Sequence, residues 1–419
     1  MLEAESDRVA SRRVFYIPGY DPFPPRRYRE LYRTESAEQA KISGYTIALN
    51  PTDEPTSWSV TGVIAGRRAT ALCEVLVWSD IVQRSMSGGV LASYAQLVRT
   101  AWVYISTGAL RRLMWLRKGP VLAALYPIGM LLAQLGVALA LGGLAANLLS
   151  AGLDGLASRI WAQPPIWTET LSSALWVAAG AAVVWFCLMR FYRLDGKLFA
   201  HYLMHDFAFA ARWKGANPPE LETRITEFSA RIEDALDSGA DEVLVVGHSS
   251  GAHLAISALA DLLKRRDLSQ HPCRLGFLSL GHVVPMMSFL PEATKLRTDL
   301  HDLAARAEVT WIDISAPGDG CSFALCDPVS VTGVEPRGKR WPLVLSAAFS
   351  KTLSDEKRRA LRWRFFRLHF QYLCAFDQPG AYDYFQITAG PMTLASRFRD
   401  RSPSRSRIDV AASKYRNIA

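Results

Sequence analysis

The apolar positions along the chain fall into three patterns. Short, β-branched or aromatic runs at 14–17, 45–49, 58–64, 71–78, 243–246, 275–280 and 309–314 predict strands. The run 243–246 (VLVV) shows no polar alternation, as a strand buried on both faces of a parallel sheet requires. The runs at 45–49 and 58–64 predict an antiparallel extension, and that at 71–78 re-enters the central sheet. A second pattern has helical spacing. Leu221, Ile225, Phe228, Ile232 and Leu236 share one face of a helix able to cover the sheet, and Leu254, Ala258, Leu259 and Leu262 repeat that spacing further on. Residues 198–213 read as another helix.

The third pattern is a pair of charge-free apolar segments, 121–149 and 171–189. At ~1.5 Å per residue the first is long enough for ~30 Å of hydrocarbon, and the second is near the lower limit. Together they predict a helical hairpin, either crossing a bilayer, dipping into one leaflet, or buried in a soluble core. Arg111, Arg112, Arg117 and Lys118 precede it, Arg190, Arg193 and Lys197 follow it, and the connecting loop carries only Arg159. The positive-inside rule then puts both outer ends in the cytoplasm, with Trp161 and Trp167 at the far interface and Trp115 at the near one. The stretch 98–119 mixes Trp102, Tyr104, Leu110, Leu113 and Trp115 with basic residues, and reads either as a helix along the anionic leaflet or as a solvated helix on the sheet.

Charge sharpens this picture. The net charge of +9 gathers beside the apolar segments and in the last twenty residues, which favours a membrane surface over nucleic acid. Cys73, Cys187, Cys273, Cys321, Cys326 and Cys374 form no C-x-x-C pair, as expected of reduced cytosolic thiols. The first twenty residues lack the apolar core of a secretory signal. The expected division is 1–118 and 193–395 as two parts of one sheet domain, 119–192 as the hairpin, and 396–419 as a basic, disordered tail.

Candidate chemistry sits where the strand at 243–246 meets the next helix, at Gly247-His248-Ser249-Ser250-Gly251. A serine on a sharp strand-to-helix turn needs small neighbours, and its oxyanion would face the Ser250 amide and the positive end of the helix. This G-x-S-x-G in its strand–turn–helix setting resembles the α/β-hydrolase superfamily. The resemblance implies an α/β-hydrolase sheet with flanking helices, interrupted here by the transmembrane hairpin. Ser249 is the implied nucleophile, with Gly247, His248 and Gly251 forming the elbow.

In that superfamily the loop after an early strand gives the second oxyanion amide. By position this is Gly19-Tyr20-Asp21, with Tyr20 as donor, although Pro18-Gly19 stands where His-Gly is frequent. The implied order Ser, acid, His leaves His369 as the base, because it alone among His253, His271, His282, His301 and His369 follows every plausible acid. Asp319, in Pro-Gly-Asp-Gly just past the strand at 309–314, is the favoured acid, with Asp327 next and Asp313 within the strand. Gly19 and His282 are candidates to line the substrate pocket, His282 equally a turn residue. His201 and His205 stand at i, i+4 without the Glu of a zinc motif, so neither metal nor cofactor is expected. The function implied is a membrane-anchored serine esterase or lipase-like hydrolase that cleaves a lipid-like ester or thioester at the cytoplasmic face. An acyltransferase with the same triad, and a catalytically silent interaction protein, are the alternatives.

Overall fold

Eight strands form one mixed sheet in a computed structural model that describes residues 8–163 and 165–419. They are β1 (Ser11–Ile17), β2 (Thr46–Pro51), β3 (Ser57–Ile64), β4 (Arg67–Val75), β5 (Glu242–His248), β6 (Arg274–Leu280), β7 (Val309–Ser315) and β8 (Leu343–Ser346). Their order is β2-β3-β4-β1-β5-β6-β7-β8, and β3 alone runs against the rest. All seven expected strands are present, including the antiparallel extension. β4 starts earlier than its apolar run because Ala65 and Gly66, both at positive φ, make a two-residue hairpin turn that pairs Ile64 with Arg67. β8 was not expected: four residues are too short a run to stand out.

The principal helices are α1 (Arg26–Ser43), α2 (Val90–Ser106), α3 (Ala109–Leu116), α4 (Lys118–Ile160), α5 (Ile166–Arg193), α6 (Ala200–Arg212), α7 (Pro219–Leu236), α8 (Gly251–Arg265), α9 (Thr294–Ala305) and α10 (Phe365–His369). The chain divides into two units, one of residues 1–85, 102–121 and 210–419, the other of 86–101 and 122–209.

The first unit holds the sheet. β5 is buried throughout, and α8 packs on it between α7 and α9, with Leu221, Ile225, Phe228, Ile232 and Leu236 of α7 all enclosed as their spacing predicts. On the opposite face Val14, Tyr16, Val246, Leu278 and Ile312 pack with Tyr28 and Tyr32 of α1 and with Tyr372, Phe376 and Phe385 from the C-terminal segment.

The expected free tail is laid along this unit instead. Ser404 N–H donates to Val344 O (2.9 Å) and Ser404 Oγ accepts from Ser346 N–H (3.0 Å), which covers the outer edge of β8. Farther on, the fully buried Arg297 guanidinium donates to Asn417 O (2.8 Å) and Oδ1 (2.9 Å). A buried cation without acceptors is costly, so these contacts hold down a segment whose composition alone suggests disorder.

In the second unit α4 and α5 run antiparallel. A Cβ on Gly142 would stand 2.8 Å from Gly180 O and 2.6 Å from Val184 Cγ2, so the backbones approach as only glycine allows. Trp176 Nε1 donates to Asn147 Oδ1 (2.8 Å), and the Ser150 and Ser172 hydroxyls are 3.1 Å apart. This register sets Ala138 against Leu188 and Ser150 against Ser172. The apolar segment expected from residue 121 is therefore split. Leu131 packs with Leu97 of α2 and with Ala200 and Met204 of α6, and only the later turns pair with α5.

Both helices are long and apolar enough to cross a membrane, and only 22% and 11% of their most apolar windows are buried. Leu139, Leu141, Leu144 and Leu148 of α4 and Val177, Trp185 and Phe186 of α5 are exposed. That outer surface is unlike the enclosed core helix of a soluble domain.

Candidate functional site

The parallel strands β5, β6 and β7 end together, and the turns that follow them carry the candidate residues. At the end of β5 the chain reverses sharply into α8, and Ser249 takes φ +56°, a left-handed conformation uncommon for a non-glycine residue. The flanking glycines make the turn possible. A Cβ on Gly247 would lie 2.7 Å from Ala252 Cα, and one on Gly251 would lie 2.0 Å from Ile17 O. No side chain fits either position. Ser249 N–H donates to Leu280 O (2.9 Å), and between the buried His248 and Ser250 only Ser249 retains partial exposure.

The loop after β1 passes this serine. A Cβ on Gly19 would be 3.0 Å from Ser249 Cβ and 3.4 Å from its Oγ. The loop is pinned by Trp78 Nε1 donating to Pro18 O (2.9 Å), by Asp21 accepting from the Tyr28 hydroxyl (2.6 Å) and Phe23 N–H (3.0 Å), and by the Tyr20 hydroxyl against Ser85 Oγ (2.5 Å). Tyr20 thus buries its side chain and offers the site only its backbone.

Asp319 lies in the turn beyond β7, and His369 is the last residue of α10. His369 Nδ1 is 2.8 Å from Asp319 Oδ2. The same oxygen accepts from the Tyr372 hydroxyl (3.0 Å), and Oδ1 accepts from Cys321 N–H (3.0 Å). Burial opposes ionisation of Asp319, but the His369 charge and these hydrogen bonds outweigh it and hold the carboxyl below its ordinary pKa. Burial, with the Asp319 charge added, raises Tyr372 well above its ordinary value, so its hydroxyl remains a donor. Asp319 is therefore a carboxylate that fixes one ring nitrogen of His369 and leaves Nε2 as the position able to take a proton.

His248 is a further member that the sequence did not mark beyond the turn itself. Its Nε2 is 3.1 Å from His369 O and its Nδ1 is 3.3 Å from the Tyr16 hydroxyl. A carbonyl only accepts, so Nε2 carries the hydrogen and Tyr16 donates to Nδ1. Burial, helped by the His369 charge, pushes its pKa down to about 3 and keeps the ring neutral. Tyr372 was also missed, since one tyrosine in an aromatic-rich stretch carries no spacing signal.

The other candidates stand apart. Asp327 Oδ1 caps the short helix Pro328–Thr332 through Val329 N–H (3.0 Å) and Ser330 N–H (3.2 Å), and its other oxygen pairs with Lys339. Asp313 is fully buried within β7, accepts from Ser279 Oγ (2.6 Å), and has its pKa raised by burial. His282, a possible pocket wall, is fully enclosed with Nε2 2.9 Å from Cys326 O, which leaves it no open face for a substrate. A cavity of about 360 Å³ between residues 115–120 and 317–324 reaches Asp319 but neither Ser249 nor His369. In α6, His201 Nδ1 lies 2.9 Å from Ser93 Oγ, and burial lowers the pKa of both His201 and His205. No cluster of three or more His, Cys, Asp or Glu able to hold a metal occurs among the described residues.

Chemically, the arrangement supplies a partly exposed serine in a strained turn, a histidine with one nitrogen fixed by a carboxylate, and a helix N-terminus next to that serine. Such a set can carry acyl transfer. No family model, no curated protein and no solved structure matches the chain.

Proposed function

We propose that the chain is a serine hydrolase of α/β-hydrolase type, anchored by α4 and α5, that cleaves an ester or thioester of a lipid-like substrate at the cytoplasmic face. The observation that carries this reading is the 2.8 Å Asp319–His369 hydrogen bond, with His369 O held 3.1 Å from the ring of His248, the neighbour of a serine held at φ +56° between two obligate glycines. The chain order Ser249, Asp319, His369 also matches that of the superfamily.

In this reading Ser249 Oγ attacks the acyl carbon while His369 Nε2 takes its proton. The oxyanion is held by the amides of Ser250 and Tyr20, at the N-terminus of α8. Asp319 keeps the ring in the required tautomer and stabilises the imidazolium. His369 returns the proton to the leaving alcohol or thiol, and water, activated by the same nitrogen, releases the acid and restores Ser249. The membrane part rests on the apolar length and outward exposure of the two helices, and its sidedness on the basic flanks.

A fluorophosphonate probe on isolated membranes tests the reading. Labelling of wild type that is lost in Ser249→Ala, together with loss of turnover on short p-nitrophenyl esters, is expected. No labelling of wild type would favour a silent interaction protein. Transfer of the acyl group to an added alcohol in preference to water would make the enzyme an acyltransferase.

A further inference from the structure

One oxygen of Asp319 serves two donors. Oδ2 accepts from His369 Nδ1 at 2.8 Å and from the Tyr372 hydroxyl at 3.0 Å. The direction of the second bond is fixed, because the tyrosine oxygen already accepts from Ala316 N–H at 3.0 Å and so gives its own hydrogen to the carboxylate. The ring is held in place. Tyr372 is fully buried, its carbonyl accepts from the Tyr382 hydroxyl at 2.7 Å, and the Phe349 ring packs 5.1 Å away.

The backbone opposite leaves room for this contact. Gly281, just past β6, stands at φ +51°, and a Cβ there would lie 2.6 Å from Tyr372 Cε2 and 3.2 Å from Asp319 Oδ2. A side chain at 281 would push the ring off the carboxylate.

Orienting His369 needs only the bond to Nδ1, so the second donor to the same oxygen has an effect of its own. Hydrogen bonds to an ionised acceptor are about twice as strong as neutral ones, and charge drawn towards Tyr372 is withdrawn from the imidazolium that Asp319 would stabilise. We propose, on the reading of Ser249, Asp319 and His369 as a triad, that Tyr372 is a positioning residue which, through Asp319, weakens the hold of His369 on its proton and so keeps the ring in its basic form near neutral pH.

The other titratable and charged groups around the pair are His248 at the end of β5 with Tyr16 behind it, Cys321 beside Asp319, Arg117 and Lys118 across the cavity, and Arg27 of α1 over the Phe370 ring. On the helix of His369 itself, Arg367 is engaged by Glu35 at 2.7 Å. All of them stay in place when only residue 372 is changed.

The test is the pH dependence of kcat/KM for a short p-nitrophenyl ester, whose acid limb reports the base of the free enzyme. It is measured on the full chain as wild type, as Tyr372→Phe, and with 3-fluorotyrosine placed at 372. Loss of the donor in Tyr372→Phe should move the acid limb up by about one pH unit. Fluorotyrosine, a more acidic donor on the same ring, should move it down. Opposite shifts from two changes at one position are not produced by loosened packing. A Tyr372→Phe limb that coincides with wild type, whatever happens to the plateau, would overturn the proposal, as would a fluorotyrosine limb that stays or rises. Should the phenylalanine variant fail to fold, the fluorotyrosine limb decides alone. Turnover that survives Ser249→Ala would overturn the proposal through its premise, and is told apart because it needs no change at 372.

Discussion

His248 Nε2 donates a hydrogen bond to the carbonyl oxygen of His369 at 3.1 Å, and the two rings lie 4.8 Å apart. The residue before Ser249 in the turn thus holds the backbone of the residue proposed to take the serine's proton. The end of β5 and helix α10 are coupled through one neutral imidazole, boxed in by Tyr16, Phe370 and Tyr372.

This coupling makes His248 a positioning residue. His248→Phe keeps an aromatic ring but loses the bond; one hydrogen bond of ~1–1.5 kcal/mol converts to about a tenfold fall in kcat. KM for a short ester should stay unchanged, and His248→Gln, which restores a donor, should recover part of the rate. Steady-state kinetics on the three proteins decide it. An unchanged kcat in a folded His248→Phe protein would show that the contact does not place His369.

The acid can be separated from its neighbour by what each carboxylate holds. Asp319 is bound by His369, Tyr372 and Cys321, whereas Asp327 caps a helix and pairs with Lys339. Asp319→Asn should lower kcat by up to ~10⁴ with little effect on thermal stability. Asp327→Asn should do the reverse, removing up to ~1 kcal/mol of stability through the lost Lys339 ion pair, since Asn still caps the helix. Kinetics and melting curves of both variants would expose an inverted ranking.

Much of this was legible because the signals are local. A strand buried on both faces, a turn demanding small residues and a helix with one apolar face each leave a short-range pattern, and β5, Ser249 and α7 follow it. Asp319 was readable as the first acid after an apolar strand. The failures are long-range. β8 depends on pairing with β7, the tail is ordered by Arg297 and the β8 edge, and His248 gains its partner from a residue 121 positions away. Nor does composition distinguish the turns of α4 that pack on α2 and α6 from those that pair with α5.

Acid should weaken the fold through its buried histidines. Burial pushes His248 down to about 3 and His253 and His205 down to about 4, the last helped by the charge of His201. The unfolded chain takes up these protons below about pH 6.5 while the folded protein does not, so it is the unfolded state that binds more protons in this window. Stability should therefore be complete above about pH 6.5 and fall steadily to about pH 4. Replacing the isolated His253 by Asn should flatten that slope in thermal melts. A slope identical to wild type would mean that His253 is not held neutral in the fold.

The hairpin register sharpens the topology. Ser150 meets Ser172 and Ala138 meets Leu188, so the last turn of α4, with Arg159, and the loop after it cap one end, and Arg190 and Arg193 lie at the other. Seven basic residues, Arg111, Arg112, Arg117, Lys118, Arg190, Arg193 and Lys197, flank the outer ends against one, Arg159, at the far end. Exporting that cluster is disfavoured, and both parts of one sheet must share a compartment. A cysteine introduced by Asp154→Cys, an exposed position near the loop, should react with a membrane-impermeant maleimide in intact cells. One introduced by Glu220→Cys, exposed at the start of α7, should react only after lysis. Reaction of the Glu220 site in intact cells would put Ser249 outside. Protection of both sites would mean that the hairpin dips into one leaflet without crossing it, or that the protein is soluble and its apolar helices bury against a partner subunit.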